Sequence, residues 1–245
     1  MMQRPVHLTP AWFLQRFKIK PDAVAPACLI SGERARVQEA ISRLDSPVKI
    51  FAFAGISCWT GRYNGKQVSV GLAGAYAPDS AFATEILCSA GGRTLIRLSS
   101  CGALRQDIEI GDIIIATETL CGEGTTRYYL DQGMVPRSYA PLAQALALAL
   151  KDKAKVHSGK IWTTDAVLRE TRAIVNQQIS LGAIGVDMEA AAFLAVAGVC
   201  RAKAASVLAV SDNLITGEMG FLDRRFRDAE NKMIEAGFQV LTDGI

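Results

Sequence analysis

The sequence GVDMEAAAF at residues 185–193 reads as the end of a β-strand followed at once by the start of a helix, the unit from which α/β folds are built. Two carboxylates, Asp187 and Glu189, flank Met188 directly before a run of alanines that suits a buried helix. Acidic side chains are seldom buried without a partner. Either they serve the helix, with Asp187 as its cap and Glu189 in its first turn, or they bind a polar ligand.

Short β-type runs alternate with amphipathic helical runs on both sides of this sequence. The alternation predicts an α/β fold, a single three-layer domain over residues 1–245 in which helices flank a central mixed, largely parallel β-sheet. The predicted strands are 27–31, 48–53, 58–63, 67–72, 94–98, 112–117, 156–163, the strand that GVDM ends, and 205–210. The predicted helices are 32–44, 79–90, 141–152, 168–179, the alanine helix after Glu189, and 221–241. Asn64-Gly65 between two strands indicates a tight hairpin.

Composition narrows the class of protein. The chain has 27 basic and 24 acidic side chains, and a net charge of +3 is too small to indicate a nucleic-acid partner. Six cysteines are scattered without a CxxC pair, which favours buried thiols in a reducing compartment over disulfides or a metal site. The first 20 residues lack a continuous apolar segment, and the longest apolar run, 190–200, is shorter than the ~20 residues of a membrane-spanning helix. We therefore expect a cytoplasmic protein that does not bind a membrane.

Polar residues follow four of the predicted strands, at residues 32–36, 97–102, 187–189 and 211–213. Ligands of open α/β sheets bind outside the carboxyl ends of the strands, so these positions are the candidate site. Arginines, a hydroxyl and loop amides suit an anion of the size of phosphate, whereas carboxylates suit hydroxyls or a proton. Each position also has a structural explanation: a turn at Gly32, an arginine stem packed on the core at Arg97, and a cap at Asp212.

Seven motifs together resemble the nucleoside phosphorylase family, which includes purine nucleoside phosphorylase of the hexameric bacterial type and uridine phosphorylase. They occur in the family's order and cover most of the chain. The motifs are HLTP (7–10), SGERARV (31–37), PVKI (47–50), RLSSCGAL (97–104), EIGDIIIAT (109–117), VDMEAAA (186–192) and AVSDN (209–213).

The resemblance implies a phosphate site and a ribose site. The phosphate-binding residues that it implies are Gly32, Arg36, Arg97 and Ser100. Glu189 would accept hydrogen bonds from the ribose 2′- and 3′-hydroxyls with Met188 against the sugar, and such contacts discriminate against analogues that lack the hydroxyls. His7 would reach the ribose of the adjoining subunit's site. A homo-oligomer is therefore implied, with a dimer as the smallest complete unit and a trimer of dimers as a larger assembly.

The resemblance also implies the catalytic and base-binding residues. Asp212 would donate a proton to purine N7 as the glycosidic bond breaks, which requires a raised pKa, and Arg225 would pair with Asp212 afterwards. The base-binding residues that it implies are Cys101, Gly102, Val167 and Asp187. No metal and no cofactor is implied, because inorganic phosphate is the co-substrate.

Three departures from the family pattern bear on function. Ala54 stands where the family places a second-subunit arginine on the phosphate. Loss of one charged hydrogen bond, about 1.5–3 kcal/mol, would weaken phosphate binding roughly ten- to a hundredfold. Val167 replaces a phenylalanine that would stack on the base. The glutamine and arginine with which uridine phosphorylases read uracil are absent from residues 170–173, so a purine is favoured.

Three functions remain open from the sequence. The first is phosphorolytic cleavage of the N-glycosidic bond of a purine nucleoside, giving free base and ribose 1-phosphate. A hydrolytic nucleosidase on the same fold is the second, and Ala54 favours it. The third is a nucleoside-binding protein without turnover. Two departures favour it: Val167, and Glu33 where the family usually has an aspartate.

Overall fold

The computed structural model describes residues 7–244, which form nine strands and seven α-helices. The strands are β1 (Ala27–Ser31), β2 (Asp45–Phe53), β3 (Ile56–Tyr63), β4 (Lys66–Leu72), β5 (Thr94–Ala103), β6 (Ile113–Gly122), β7 (Val156–Thr164), β8 (Ala183–Asp187) and β9 (Lys203–Asn213). The α-helices are α1 (Pro10–Arg16), α2 (Arg34–Ser42), α3 (Ala77–Ser89), α4 (Ala140–Leu150), α5 (Arg172–Ser180), α6 (Ala190–Val199) and α7 (Arg224–Asp243). Two 3₁₀ turns lie at Thr126–Tyr128 and Val167–Arg169.

The nine strands form one sheet that closes on itself at one end. Five strands pair in a ring in the order β5, β8, β7, β6 and β9, and the ring closes because β9 also pairs with β5. The strands β1, β4, β3 and β2 extend from the other edge of β5. Five of the pairings are parallel and four are antiparallel, which confirms the predicted mixed, largely parallel sheet.

Helices cover both faces of the sheet and give the three predicted layers. Helices α2, α4 and α7 pack on one face around the larger apolar core, and α1, α3 and α6 pack on the other. Helix α7 buries one side, including Phe226, Met233 and Phe238, at the helical spacing expected of a surface helix. Helix α6 is buried almost all round, so the alanine run is the core element that the sequence indicated.

Most predicted elements are confirmed, with two corrections. The Asn64-Gly65 hairpin is present, and both residues have positive φ, as a tight two-residue turn between strands requires. The predicted helix at 168–179 is wrong over its first residues: α5 begins at Arg172 because the Thr171 hydroxyl accepts a hydrogen bond from the Ile174 N–H. Helix α1 was not predicted, although Thr9 caps it and proline occupies its first position.

Strands β5 and β9 extend beyond the apolar runs that predicted them. Strand β5 continues to Ala103 and β9 to Asn213, and they stay paired, with Gly102 opposite Asp212. The extensions carry the polar residues of the candidate site. No helix within residues 7–244 is both long and apolar enough to cross a membrane.

Candidate active site

Strand β5 is the centre of the candidate site because it pairs with β1 along one edge and with β9 and β8 along the other. Its residues 97–102 include Arg97, Ser99 and Ser100. Side chains of a strand alternate between its two faces, so Arg97 and Ser99 share one face and Ser100 points to the other. The contacts of these residues follow that division.

A buried ion pair occupies the first face. Arg97 is fully buried, and its Nη2 lies 3.1 Å from Glu189 Oε1. Ser99 donates a hydrogen bond of 3.0 Å to the other carboxylate oxygen of Glu189. Arg97 also donates from Nη2 to the Gly74 carbonyl at 2.8 Å and from Nη1 to the Ser80 hydroxyl at 3.0 Å. Its buried Nε has no hydrogen-bond partner in the described part of the chain.

Gly32 allows the backbone at Gly74, whose carbonyl binds Arg97, to pack closely against it. A Cβ added at Gly32 would lie 2.4 Å from the Gly74 carbonyl oxygen and 2.9 Å from Ala75 Cα, closer than real Cβ atoms approach. The same Gly74 oxygen accepts the hydrogen bond from Arg97. Gly32 is therefore required for packing as well as being a candidate for anion binding.

The Asp187 side chain accepts hydrogen bonds at the start of α6, where Glu189 occupies the N-cap position. One of its oxygens accepts a hydrogen bond from Thr163 at 2.7 Å, and the other accepts from the backbone N–H of Ala190 at 2.8 Å and of Glu189 at 3.3 Å. Burial, and next the negative charge of Glu189, raise the pKa of Asp187 to about 8. Asp187 thus orients the start of α6, from which Glu189 projects toward Arg97.

Arg36 lies on the second face, where a carboxylate already binds it. Its Nε and Nη2 are 3.0 Å and 2.5 Å from Glu230 Oε1. Its Nη1 donates to the Ser31 hydroxyl at 2.9 Å and to the Leu98 carbonyl at 3.1 Å. Arg36 and Ser100 line one cavity of about 520 Å³ together with Glu230 and Arg227.

The four predicted phosphate-binding residues are therefore divided between the faces of β5. Arg36 and Ser100 share the cavity beside α7, whereas Arg97 lies across the strand, bound to Glu189, with Gly32 packed against its supporting loop. Ala54 is exposed at the tip between β2 and β3 and has positive φ, as has Gly55 beside it.

Asp212 is half-buried near the end of β9, opposite Gly102. Ser211 donates a hydrogen bond of 2.8 Å to its Oδ1. Burial raises the pKa of Asp212 and outweighs the opposing effect of that hydrogen bond. A Cβ added at Gly102 would lie 2.9 Å from Asp212 Oδ2 and 2.4 Å from Leu214 Cδ1, so a larger residue here would displace the Asp212 carboxyl group and the Leu214 side chain.

Two other groups respond to the charge of Asp212. Glu170, which the sequence analysis did not select as a site residue, has its pKa raised to about 7 by burial and then by Asp212. It lines a cavity of about 350 Å³ with Arg172, Asn176 and Leu214. The thiol of Cys101 is buried, and burial followed by the charges of Asp187 and Asp212 raises its pKa. Glu170, Asp212 and Cys101 therefore form one electrostatic neighbourhood.

The remaining predicted residues do not join these clusters. Met188 is partly buried directly after β8, and Val167 is 45% exposed on its 3₁₀ turn. Arg225 is exposed and binds Glu218 and Asp223, each at 2.7 Å, rather than Asp212. His7 is exposed and makes no hydrogen bond or ion pair with residues 8–244.

Sequence reasoning missed Ser99, Thr163, Glu170 and Glu230. Strand alternation from Arg97 would have found Ser99, because residues two apart lie on one face. Glu230 had no local signal, since it lies 194 residues from Arg36 and inside an ordinary amphipathic helix. Within residues 7–244, no group of three or more histidine, cysteine or acidic side chains is arranged to hold a metal ion.

Comparison with known proteins gives three kinds of match: a family model, curated proteins and solved structures. A family model described as the phosphorylase superfamily matches residues 26–244. Among curated proteins, a DeoD-type purine nucleoside phosphorylase of Jannaschia sp. (strain CCS1) is 31% identical over 225 residues, 89% of this chain and 96% of that protein. A DeoD-type purine nucleoside phosphorylase of Brevibacillus brevis is 34% identical over 189 residues, 76% of this chain and 80% of that protein.

Solved structures share the fold at low identity. A uridine phosphorylase from Vibrio fischeri ES114 superposes with a TM-score of 0.85 at 20% identity, covering 95% of this chain and 100% of that one. A purine nucleoside phosphorylase from Toxoplasma gondii in complex with immucillin-H superposes with a TM-score of 0.85 at 18% identity, covering 99% and 98%. These matches confirm the predicted fold class.

Proposed function

The chain belongs to the phosphorylase superfamily, and from this membership we propose that it catalyses phosphorolysis of a purine nucleoside, giving the free base and ribose 1-phosphate. Both curated relatives described above are purine nucleoside phosphorylases, and they match most of the chain. The proposal makes the protein a pentosyltransferase with phosphate as co-substrate and no other cofactor.

The observation that carries the proposal is the buried contact between Arg97 and Glu189. A guanidinium that suits an anion and a carboxylate that suits sugar hydroxyls lie 3.1 Å apart. Phosphorolysis needs this adjacency, because the attacking phosphate and the ribose meet at one carbon atom. Ser99 holds the other carboxylate oxygen of Glu189, so the carboxylate is oriented before the sugar arrives.

At the phosphate end, we assign binding to Arg36, Arg97 and Ser100, with Gly32 beside them. Arg36 and Ser100 lie across β5 from Arg97, so this assignment requires side chains to reorient around the end of the strand when phosphate binds. The unpartnered, buried Nε–H of Arg97 is one donor that supports this assignment. A phosphate oxygen attacks ribose C1′ from the side opposite the base, and the ribose takes on positive charge as the glycosidic bond lengthens. The carboxylate of Glu189, bound to the sugar hydroxyls, lies where it stabilises that charge.

At the base end, we assign the general acid to Asp212. When the bond from C1′ to the base breaks, its electron pair goes to the purine ring, and the carboxyl proton of Asp212 goes to N7. The proton that phosphate loses on forming the ester restores Asp212 by way of solvent. The raised pKa of Asp212 supports this role, because a carboxyl group of ordinary pKa holds little proton at neutral pH. Cys101, Gly102, Val167 and Asp187 remain the proposed surroundings of the base.

Two proposed residues act only after a movement or an association. Arg225 would have to leave Glu218 and Asp223 to pair with Asp212.

His7 would contribute, with Met188, to the ribose site, but from a second copy of the chain. Its neighbours Leu8, Thr9 and Pro10 line an apolar cavity of about 600 Å³ that extends to α3. We propose that this surface joins two copies, with the dimer as the smallest complete unit, and sedimentation of the purified protein tests that state.

The proposal extends to the organisation and location of the chain. Residues 1–245 are proposed to form one domain that works in the cytoplasm. The six cysteines are all free, as suits a reducing compartment.

A hydrolytic nucleosidase is the second candidate, and one observation favours it. The Arg36 side chain already binds Glu230, and Ala54 cannot supply a charge to a neighbouring site. Water in place of phosphate would then attack C1′.

Assay of base and sugar products separates the candidates. Purified protein is incubated with inosine, guanosine, adenosine, 5′-methylthioadenosine or uridine, with and without phosphate. We expect a purine base and ribose 1-phosphate in equal amounts, and only when phosphate is present. Base release with free ribose and no need for phosphate would establish the nucleosidase, and no release from any of these nucleosides would favour a binding protein.

A further inference from the structure

The guanidinium of Arg36 has few hydrogen-bond donors left for a ligand. Its Nη1 donors are used by Ser31 and by the Leu98 carbonyl, at 2.9 Å and 3.1 Å. Its Nε and one Nη2 donor are used by Glu230 Oε1, at 3.0 Å and 2.5 Å. A guanidinium has five N–H donors, so one remains on Nη2.

Glu230 binds the edge of Arg36 that suits an anion best. The Nε and Nη2 atoms form the fork with which arginine binds carboxylates and phosphates in a bidentate manner. The side chain of Arg36 is 4% exposed and is fixed by two other acceptors, whereas that of Glu230 is 22% exposed. Of the two partners, Glu230 is the one that can move aside.

The charges around the cavity add to this competition. Three carboxylates, Glu33, Glu39 and Glu230, line it against two guanidiniums, Arg36 and Arg227. A phosphate dianion that enters meets a surface whose positive charge is already compensated. Binding becomes favourable when the carboxylate nearest the guanidinium fork leaves it.

We propose that Glu230 is an internal competitor of phosphate: it holds the Arg36 fork when the site is empty and is displaced from it by the co-substrate. The inference rests on the proposed function, because it concerns the phosphate site of that reaction. Glu230 acts through Arg36 and is a positioning residue that sets the affinity for tetrahedral oxyanions. Helix α7, which carries Glu230, thereby reports whether the phosphate site is occupied.

The test is phosphate binding to the full-length protein and to the variant Glu230→Gln, by calorimetric titration without nucleoside. Glutamine keeps the size and one hydrogen-bond acceptor but removes the charge. Neutral hydrogen bonds are roughly half as strong as charged ones, so we expect Glu230→Gln to bind inorganic phosphate about tenfold more tightly. In turnover assays the KM for phosphate falls by about the same factor, while kcat and the KM for nucleoside stay within about twofold.

A matched control lies on the same helix. Glu235 forms an exposed ion pair of 2.7 Å with Lys153, and Glu235→Gln removes the same charge without touching Arg36. We expect its phosphate affinity to equal that of the parent. Equal gains in both variants would mean a general effect of charge and would overturn the proposal.

An unchanged or weaker phosphate affinity in Glu230→Gln also overturns the proposal, since Glu230 would then only hold Arg36 in place. If circular dichroism finds this variant unfolded, Glu230→Asp draws the carboxylate back by one methylene, and it is expected to bind phosphate severalfold more tightly than the parent. No gain in that variant counts against the proposal equally. The titration needs no turnover, so it stays separate from the proposed function, which fails when the parent releases no base in response to phosphate.

Discussion

The two ends of the candidate site differ in how their charged side chains are paired. At the phosphate end, the two arginines assigned to phosphate each have a carboxylate partner: Arg36 binds Glu230 at 2.5 Å and Arg97 binds Glu189 at 3.1 Å. At the base end, the charge of Asp212 contributes to the raised pKa of Glu170, and neither carboxyl group is in an ion pair within residues 7–244. The pKa of both carboxyl groups is raised, chiefly by burial.

This difference separates two chemical tasks. Paired charges fix the orientation of the arginines at the phosphate end, and a ligand has to compete with the carboxylates for them. Carboxyl groups that are desolvated and lack a cation keep a proton to a higher pH than usual, which is the direction that a general acid needs. If the proposed function holds, one site contains both an anion-binding end and a proton-donating end, and the neighbours of each group rather than its residue type determine its role.

The largest effect expected is on the proton donor. Asp212→Asn keeps the shape and removes the proton, so kcat should fall about 10²- to 10⁴-fold with little change in the KM for phosphate. Steady-state kinetics with the preferred purine nucleoside measures it, and thermal unfolding verifies the fold. A near-normal kcat in Asp212→Asn would show that Asp212 is not the general acid. The proposed contrast between the two ends would then no longer hold.

The second effect concerns the pairing at the phosphate end. Arg97→Met leaves Glu189 buried without its cation, and removal of one partner of a buried pair costs about 3–5 kcal/mol in the free energy of unfolding. Adding Glu189→Gln should recover part of that loss, because the uncompensated charge is gone. Urea denaturation of the two single variants and the double variant measures the coupling. Strictly additive losses would show that Arg97 and Glu189 do not depend on each other.

The third effect is a pH dependence of stability at Asp187, which has hydrogen-bond donors but no cation. Its pKa is about 8 in the folded chain, against 3.8 for an ordinary aspartate. Between these values the unfolded chain binds fewer protons, so the contribution to stability is complete below about pH 4 and is lost as the pH rises to about 8. The slope is at most about 1.4 kcal/mol per pH unit.

Asp187→Asn removes that titration, so the free energy of unfolding of the variant should change less with pH over the same range. Urea denaturation of parent and variant between pH 5 and pH 8 gives the comparison, in which the variant gains relative to the parent as the pH increases. Parallel curves would mean that Asp187 is ionised throughout.

The smallest effect is expected at Glu170. The charge of Asp212 raises the pKa of Glu170. Because repulsion between two carboxylates acts on both of them, an ionised Glu170 disfavours ionisation of Asp212. Glu170→Gln should let Asp212 lose its proton at a lower pH, and kcat/KM on the alkaline side should fall about threefold. Asn176 lines the same cavity. Asn176→Ala changes this lining without altering charge and serves as the control. If the pH profile of kcat/KM is the same in Glu170→Gln as in the parent, Glu170 does not influence Asp212.

Local sequence signals predicted the frame of the fold and the chemical types at the site. Strand β1 has the predicted bounds, and the Asn64-Gly65 turn is where its dipeptide indicated. Arg36 and Glu189 do lie beside β5, because strand ends and helix starts put them there. The extent of β5 and β9 was underestimated, since their last residues are polar and interrupt the apolar run.

Partners that are distant in sequence could not be predicted. Nothing local distinguishes Glu230 from other acids on a solvent-facing helix, and its pairing depends on how α7 packs across β1 and β5. In sequence, residues 97–102 form one polar run, whereas in the structure strand alternation divides Arg97 and Ser100 between the two faces of β5. Whether Glu170 approaches Asp212 depends on the turn at Val167–Arg169, for which the sequence predicted a helix.

The pairing of strand β5 on both edges limits where the protein can tolerate insertions and deletions. Both of its edges are paired over residues 94–98, so it has no room to slide, and its side chains are divided between two sets of partners. Deletion or insertion of one residue before Arg97 would turn every later side chain to the opposite face. Arg97 would then point toward α7 and Ser100 toward α6, and both ends of the site would be lost together. Length variation is therefore confined to the connections outside this strand, such as the exposed tip at Ala54.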